Sequence, residues 1–138
     1  ARVAGSQCVV VGVDSRLIDG AWATFQYTGA AETTRRTPRA MLDWIVEAQE
    51  RGAGEIVLNC MDQDGVRRGY DIAQLKAARK LLRVPLVASG GAGAASHFVD
   101  VFKQADVSGA LAAGIFHSGA VSVQDVKAAM RAAGLEAR

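Results

Sequence analysis

A parallel α/β fold of four strand-helix units is predicted by three observations on this 138-residue chain. Four short apolar runs recur along it. Each run is followed by a turn signal and then by a stretch with helical periodicity. The runs themselves are nearly continuous in Val, Ile, Leu and Ala, as strands covered on both faces of a parallel sheet require.

The first unit opens on Cys8-Val9-Val10-Val11-Gly12-Val13. A long connection follows over residues 15–38, and the alternation of Trp22-Ala23-Thr24-Phe25-Gln26-Tyr27 within it predicts a small hairpin projecting above the first strand. Long βα connections commonly carry function. Met41, Leu42, Ile45 and Val46 then fall three and four residues apart, on one face of a helix. The second unit pairs Glu55-Ile56-Val57-Leu58-Asn59-Cys60 with a helix through Ile72, Leu75 and Leu82. The third pairs Val84-Pro85-Leu86-Val87-Ala88-Ser89 with Phe98, Val101 and Phe102, and the fourth pairs Gly109-Ala110-Leu111-Ala112-Ala113 with Val123, Val126 and Met130.

Right-handed crossovers make such a repeat a parallel sheet. A complete TIM-type (βα)8 barrel takes about 250 residues. Residues 1–138 therefore read as a single domain, a (βα)4 half of a TIM-type (βα)8 barrel completed by dimerisation. Its open strand edges are expected at Cys8 to Val13 and at Ala110 to Ala113, and unpaired edges and exposed apolar faces invite a second copy. A flavodoxin-like open sheet competes, but its usual five-strand order fits four strands poorly.

Composition narrows the function classes. With 50% apolar and 22% charged residues the chain can bury a core. A net charge of +2, from 16 Lys and Arg against 14 Asp and Glu, argues for neither nucleic acid nor membrane as partner. The two cysteines, Cys8 and Cys60, lie in or at the end of apolar runs and read as reduced, buried thiols of a cytoplasmic protein. No disulfide, metal site or cofactor is expected. No apolar run approaches the roughly 18 residues of a membrane span, and the N-terminal stretch lacks a signal-peptide layout.

The strongest local signal is Ser89-Gly90-Gly91-Ala92-Gly93, at the end of the third strand and before a helix. Glycines there let the backbone approach an anion, and turn N–H groups supply donors. Ala113-Gly114-Ile115-Phe116-His117 forms a second small-residue turn after the fourth strand, and adjacent turns of this kind are where barrels commonly hold phosphate. A Gly pair after a strand also serves simply as a tight turn. A side chain at Gly90 is expected to fill the space of the anion.

The loop Asp62-Gln63-Asp64-Gly65 lacks the spaced oxygens and closing Glu of a calcium loop. Asp64 and Gly65 are instead expected beside the glycine turn, with Asp64 orienting the loop. Asp14 ends the first apolar run and is the candidate proton-transfer group, because apolar walls disfavour its charged form. Its alternative role is a turn cap. His97 and His117 read as packed or capping residues at helix starts. Arg35 and Arg36 read as solvated surface or as part of a lid above the anion site.

These stretches together, with Arg51-Gly52-Ala53-Gly54 and Gly69-Tyr70-Asp71, resemble the cyclase subunit of imidazole glycerol phosphate synthase from bacterial histidine biosynthesis. The resemblance covers nearly the whole chain and corresponds to the C-terminal half of that subunit. It implies that Asp14 is one of two catalytic aspartates and that Asp64, Gly65, Gly90, Gly91, Ala113 and Gly114 form the phosphate site of this half. Glu55 matches the charged ring through which ammonia enters from a glutaminase subunit. The family usually carries Ser where this chain has Gly114, which removes one hydroxyl donor.

The implied chemistry is a lyase-type ring closure. Ammonia condenses with the ketose carbon of a bis-phosphorylated aminoimidazole carboxamide ribonucleotide, and closure cleaves the molecule. Two carboxylates serve proton transfers on its two sides, and two anion sites hold its two phosphates. One half barrel offers one of each, so the chain is expected to be weak or inactive alone. A twofold homodimer would restore both sets. The alternative is a non-catalytic, self-assembling phosphate-binding scaffold.

Overall fold

The computed structural model of the chain describes residues 1–3 and 5–137. The strand β1 (Val10–Ile18) is joined by Asp19 and Gly20 to β2 (Ala21–Gln26), which runs back antiparallel to it. Both turn residues have positive φ, 50° and 79°, the conformation for which Asp-Gly hairpin turns are selected. A third strand, β3 (Arg35–Ala40), pairs antiparallel with β2 and leads directly into α1 (Met41–Glu50). The expected hairpin thus exists, but it lies in the plane of the sheet and β1 is one of its arms.

Three further strands lie on the other side of β1, each parallel to its neighbour: β4 (Glu55–Cys60), β5 (Leu86–Ser89) and β6 (Gly109–Leu111). The order is β3-β2-β1-β4-β5-β6. The crossovers carry α1, then α2 (Ile72–Leu81) and α3 (Ala95–Ala105), and β6 is followed by a short α4 (Gly114–His117) and by α5 (Val123–Ala132). The four predicted βα units are therefore present, consistent with half of a TIM-type barrel. The strands β2 and β3 are additional to the four expected.

Alternation decides what each face does. On β4, Ile56, Leu58 and Cys60 are buried while Glu55, Val57 and Asn59 are half-buried. The buried set meets Met41 and Ile45 of α1, Leu75 and Ala78 of α2, and Phe98 and Val101 of α3 in one core cluster. The opposite face carries no helix among the described residues, and Val10 and Leu111 stand 54% and 50% exposed on it. Covering on both faces, expected from the continuous apolar runs, is not met within the chain. The strand sequences suit two covered faces, and the helices of four units suffice for one.

One edge differs from expectation: β3 stands at the border where the first strand was expected, while β6 forms the other border. The β2 pairing covers β1 from Asp14 to Ile18, leaving only Val10 to Val13 without a neighbour on that side. Cys8 belongs to a single 3-10 turn, Ser6–Cys8, and is exposed, whereas Cys60 is buried. The turn packs on Gly54, where a Cβ would come within 2.1 Å of the Ser6 carbonyl oxygen. The outer strand β3 carries Arg35, Arg36, Pro38 and Arg39, residue types that discourage further strand addition.

Candidate functional site

A polar row crosses the C-terminal ends of the parallel strands. Asp14 pairs in register with Asn59, and Asn59 with Ser89. In-register neighbours project from the same face of a sheet, here the face opposite the helices. Asp14 Oδ1 accepts a hydrogen bond from Asn59 Nδ2 at 2.9 Å, and Oδ2 accepts one from Thr28 Oγ1 at 2.6 Å. A left-handed φ of 57° at Tyr27 turns the chain after β2 so that Thr28 reaches back to the carboxylate. Polar donors thus stand where apolar walls were expected, and they fix the carboxylate in place.

Beneath Asp14 the strand is anchored by a buried polar pair. Ser15 Oγ donates to Gln74 Oε1 from α2, and both residues are fully buried. Asp71 caps that helix, accepting from Gln74 N at 3.0 Å and from Gln74 Nε2 at 3.3 Å. On the solvent side, Asp62 Oδ2 accepts from Leu17 N at 2.7 Å. Its other oxygen lies 3.2 Å from Arg16 Nε in an ion pair whose geometry is not that of a directed hydrogen bond.

Beside the row, Asp64, Gly65, Gly90, Gly91, Ala113 and Gly114 meet around one cavity of about 560 Å³, with Asn59, Ser89 and Arg67 also on its wall. Among the described residues, no backbone carbonyl outside the helices and strands accepts from the N–H groups of Gly65, Gly90, Gly91 or Gly114. Such a set of donors in a small-residue concavity can receive an oxyanion. Gly93 N is engaged, donating to His97 Nδ1 at 3.0 Å, so His97 is a capping residue. His117 is exposed on α4, and neither histidine lines the cavity.

The glycine pair is first a structural requirement. Gly90 has φ 91° and a Cβ there would stand 2.8 Å from the Cys60 carbonyl oxygen; Gly91 has φ 112° and its Cβ would stand 2.1 Å from the Gly69 oxygen. A side chain at Gly90 therefore collides with β4 backbone before it could fill the cavity, contrary to the expectation from sequence. The facing loop is held by Gly69 N donating to Gly91 O at 2.8 Å and by Tyr70 Oη donating to Leu111 O at 2.9 Å. Burial pushes the Tyr70 phenol well above its ordinary range and keeps it a donor. The Asp64 carboxylate accepts no hydrogen bond among the described residues, so Gly69, Tyr70 and Asp71 orient the loop.

Glu55 begins β4, four residues before Asn59, at the opposite end of the sheet from the polar row. Arg35 and Arg36 lie on the exposed outer strand and do not line the cavity. A second hollow of about 350 Å³ flanks Asp14 on its other side, between the hairpin and α1. A larger one, about 650 Å³, lies on the helix side of the sheet among Phe98, Phe116, Val126 and Met130, remote from this chemistry.

The family described as histidine biosynthesis protein matches residues 1–122. The chain belongs to that family. Among its relatives, the imidazole glycerol phosphate synthase subunit HisF of Xanthomonas euvesicatoria pv. vesicatoria (strain 85-10) is 62% identical over 135 residues, covering 97% of this chain and 52% of that protein. HisF of Stenotrophomonas maltophilia (strain K279a) is 60% identical over the same coverage. The chain thus spans about half the length of the curated relatives it matches. No described helix is long and apolar enough to cross a membrane.

Within this histidine biosynthesis domain, three neighbours of the candidate residues have no place in the sequence-based site. Asn59 could have been found, since a polar residue stands next to the end of a mostly apolar strand, in phase with Glu55 and Val57. Thr28 could not, because its position depends on the turn at Tyr27. Arg67 depends on an unusual loop conformation, left-handed at φ 61°.

Proposed function

We propose that this chain is the C-terminal half barrel of a cyclase of the imidazole glycerol phosphate synthase type. In this reading the cavity formed by Asp64, Gly65, Gly90, Gly91, Ala113 and Gly114 takes one phosphate of the bis-phosphorylated substrate. Asp14 moves a proton at the reacting end. The observation that carries the reading is the continuous run from the Asp14 carboxylate, through Asn59, into the wall of the cavity. A substrate held by its phosphate there would extend toward Asp14. Asn59 and Thr28 keep that carboxylate oriented for proton transfer.

One half supplies one carboxylate at this row and one anion site, so turnover calls for a second half barrel. A twofold homodimer pairing β1 of one copy with β6 of the other would close eight parallel strands and cover the exposed Val10 and Leu111. The same closure would bring a second Asp14 to the mouth. Glu55, at the other end of the sheet, is the ammonia-gate residue in this scheme, and that end would receive a glutaminase subunit. The cytoplasm is the proposed compartment.

Steady-state assay with the bis-phosphorylated aminoimidazole carboxamide ribonucleotide and ammonium tests the reaction, alongside sedimentation at micromolar concentration. The expectation is a dimer whose slow turnover is lost in Asp14→Asn. A folded monomer would remove the composite site, and undiminished turnover in Asp14→Asn would remove the role of Asp14. A dimer that binds phosphate without turnover would establish the alternative, a non-catalytic scaffold, which the exposed apolar inner face also supports.

A further inference from the structure

We propose that Arg67 is the cationic clamp of the anion cavity, its guanidinium lying against Gly114. The inference rests on the reading of that cavity as a phosphate site. The N–H donors of the glycine turns carry only partial charges, and the carboxylate of Asp64 on the same wall repels an anion. A full positive charge is what the site otherwise lacks. Arg67 supplies it from within the wall.

Its placement follows from the backbone. A left-handed φ of 61° is uncommon outside Gly and Asn, and here it sets Arg67 directly over the glycine turn. A Cβ on Gly93 would fall 2.0 Å from the Arg67 carbonyl oxygen, so the two segments meet backbone to backbone. The side chain then crosses to the fourth strand's turn. A Cβ on Gly114 would have Arg67 Nη2 as its nearest neighbour, at 3.6 Å.

The guanidinium is also uncommitted. Arg16, Arg39 and Arg51 are in ion pairs, and Arg35, Arg79 and Arg131 donate to carbonyl oxygens. Arg67 has no such partner among the described residues. A planar fork with its donors free, at the rim of a concavity lined by glycine N–H groups, matches the geometry of a phosphate bearing two or more terminal oxygens.

The test is titration of the full chain with inorganic phosphate, followed by amide NMR shifts and calorimetry at two ionic strengths. The Gly65, Gly90, Gly91 and Gly114 amides are expected to shift. Arg67→Gln should weaken binding about tenfold or more and flatten its salt dependence, as loss of a charge-assisted hydrogen bond implies. Arg67→Lys should restore part of the affinity. Gly114→Val should weaken binding by displacing the guanidinium, with its thermal midpoint measured alongside to establish folding. If the amides shift and Arg67→Gln binds as the unaltered chain does, the clamp is wrong while the phosphate site stands. If the amides do not respond at all, the phosphate site fails and the clamp with it.

Discussion

Asn59 Nδ2 donates to Asp14 Oδ1 across 2.9 Å between two parallel strands that pair these residues in register. The contact ties the orientation of a half-buried carboxylate to the strand that forms one wall of the cavity. Replacing Asn59 by Leu removes one of its two side-chain donors. Urea unfolding is expected to show a loss of about 1.5–3 kcal/mol, the range for a hydrogen bond to a charged group. Asn59→Asp should cost more at pH 7 because two carboxylates then adjoin, and part of that loss should return as the pH falls to about 4 and one of them protonates.

The glycines of the cavity divide by what surrounds them. Gly91→Ala would place a methyl group 2.1 Å from the Gly69 oxygen at φ 112°, so it should destabilise the chain strongly, by about 2–4 kcal/mol. Gly114→Ala meets nothing nearer than 3.6 Å and has no left-handed φ, so its thermal midpoint should stay within a few degrees. Equal effects of the two substitutions would contradict the packing described for the glycine turn.

The two thiols should react at very different rates. Cys8 is exposed, while burial foremost, with Asp71 and Asp62 adding to it, pushes the Cys60 thiol far up. A thiol-specific reagent should titrate one group rapidly in the native chain and the second only on unfolding. Cys60 and Tyr70 both have folded values raised above the ordinary 9.0 and 10.0. Their contribution to stability is full below those values and is lost as the pH climbs past them, because the unfolded chain then ionises more readily. Unfolding midpoints measured from pH 8 to pH 11 should fall, and a Cys60→Ala/Tyr70→Phe variant should fall less.

The Ser15 and Gln74 pair should behave as a unit. Ser15→Ala leaves the buried Gln74 oxygen without its donor and is expected to cost about 1–3 kcal/mol. Ser15→Ala combined with Gln74→Leu removes both partners, and its loss should be smaller than the sum of the single losses. Additive losses would mean that the pair is not coupled.

The strand Glu55 to Cys60 was legible to the residue, since a short apolar run stands between Gly54 and the polar Asp62-Gln63-Asp64-Gly65 loop. The helices α1, α2, α3 and α5 follow from apolar spacing. The start of β1 was not legible: Cys8 resembles the residues after it, yet it closes the 3-10 turn that packs on Gly54. Its extension to Ile18 is signalled by Asp19-Gly20, but the pairing of β2 inside the sheet depends on tertiary packing. At the candidate site, the sequence identifies the residues gathered around the cavity. The hydrogen bonds to Asp14 come from Thr28 and Asn59, separated from it by 14 and 45 residues, and local pattern does not carry that information.

The hairpin that begins at the level of Asp14 acts as an end-stop. A strand laid against the free side of β1 can run only along Val10 to Val13 before it meets β2 at the Asp14–Phe25 pair. With β6 only three residues long, the proposed seam between two copies would be a handful of rungs. Because a one-residue slip turns a strand's side chains to the opposite face, this barrier would act as a ruler. It would set the phase in which a second sheet joins, and so decide which of that sheet's residues look inward.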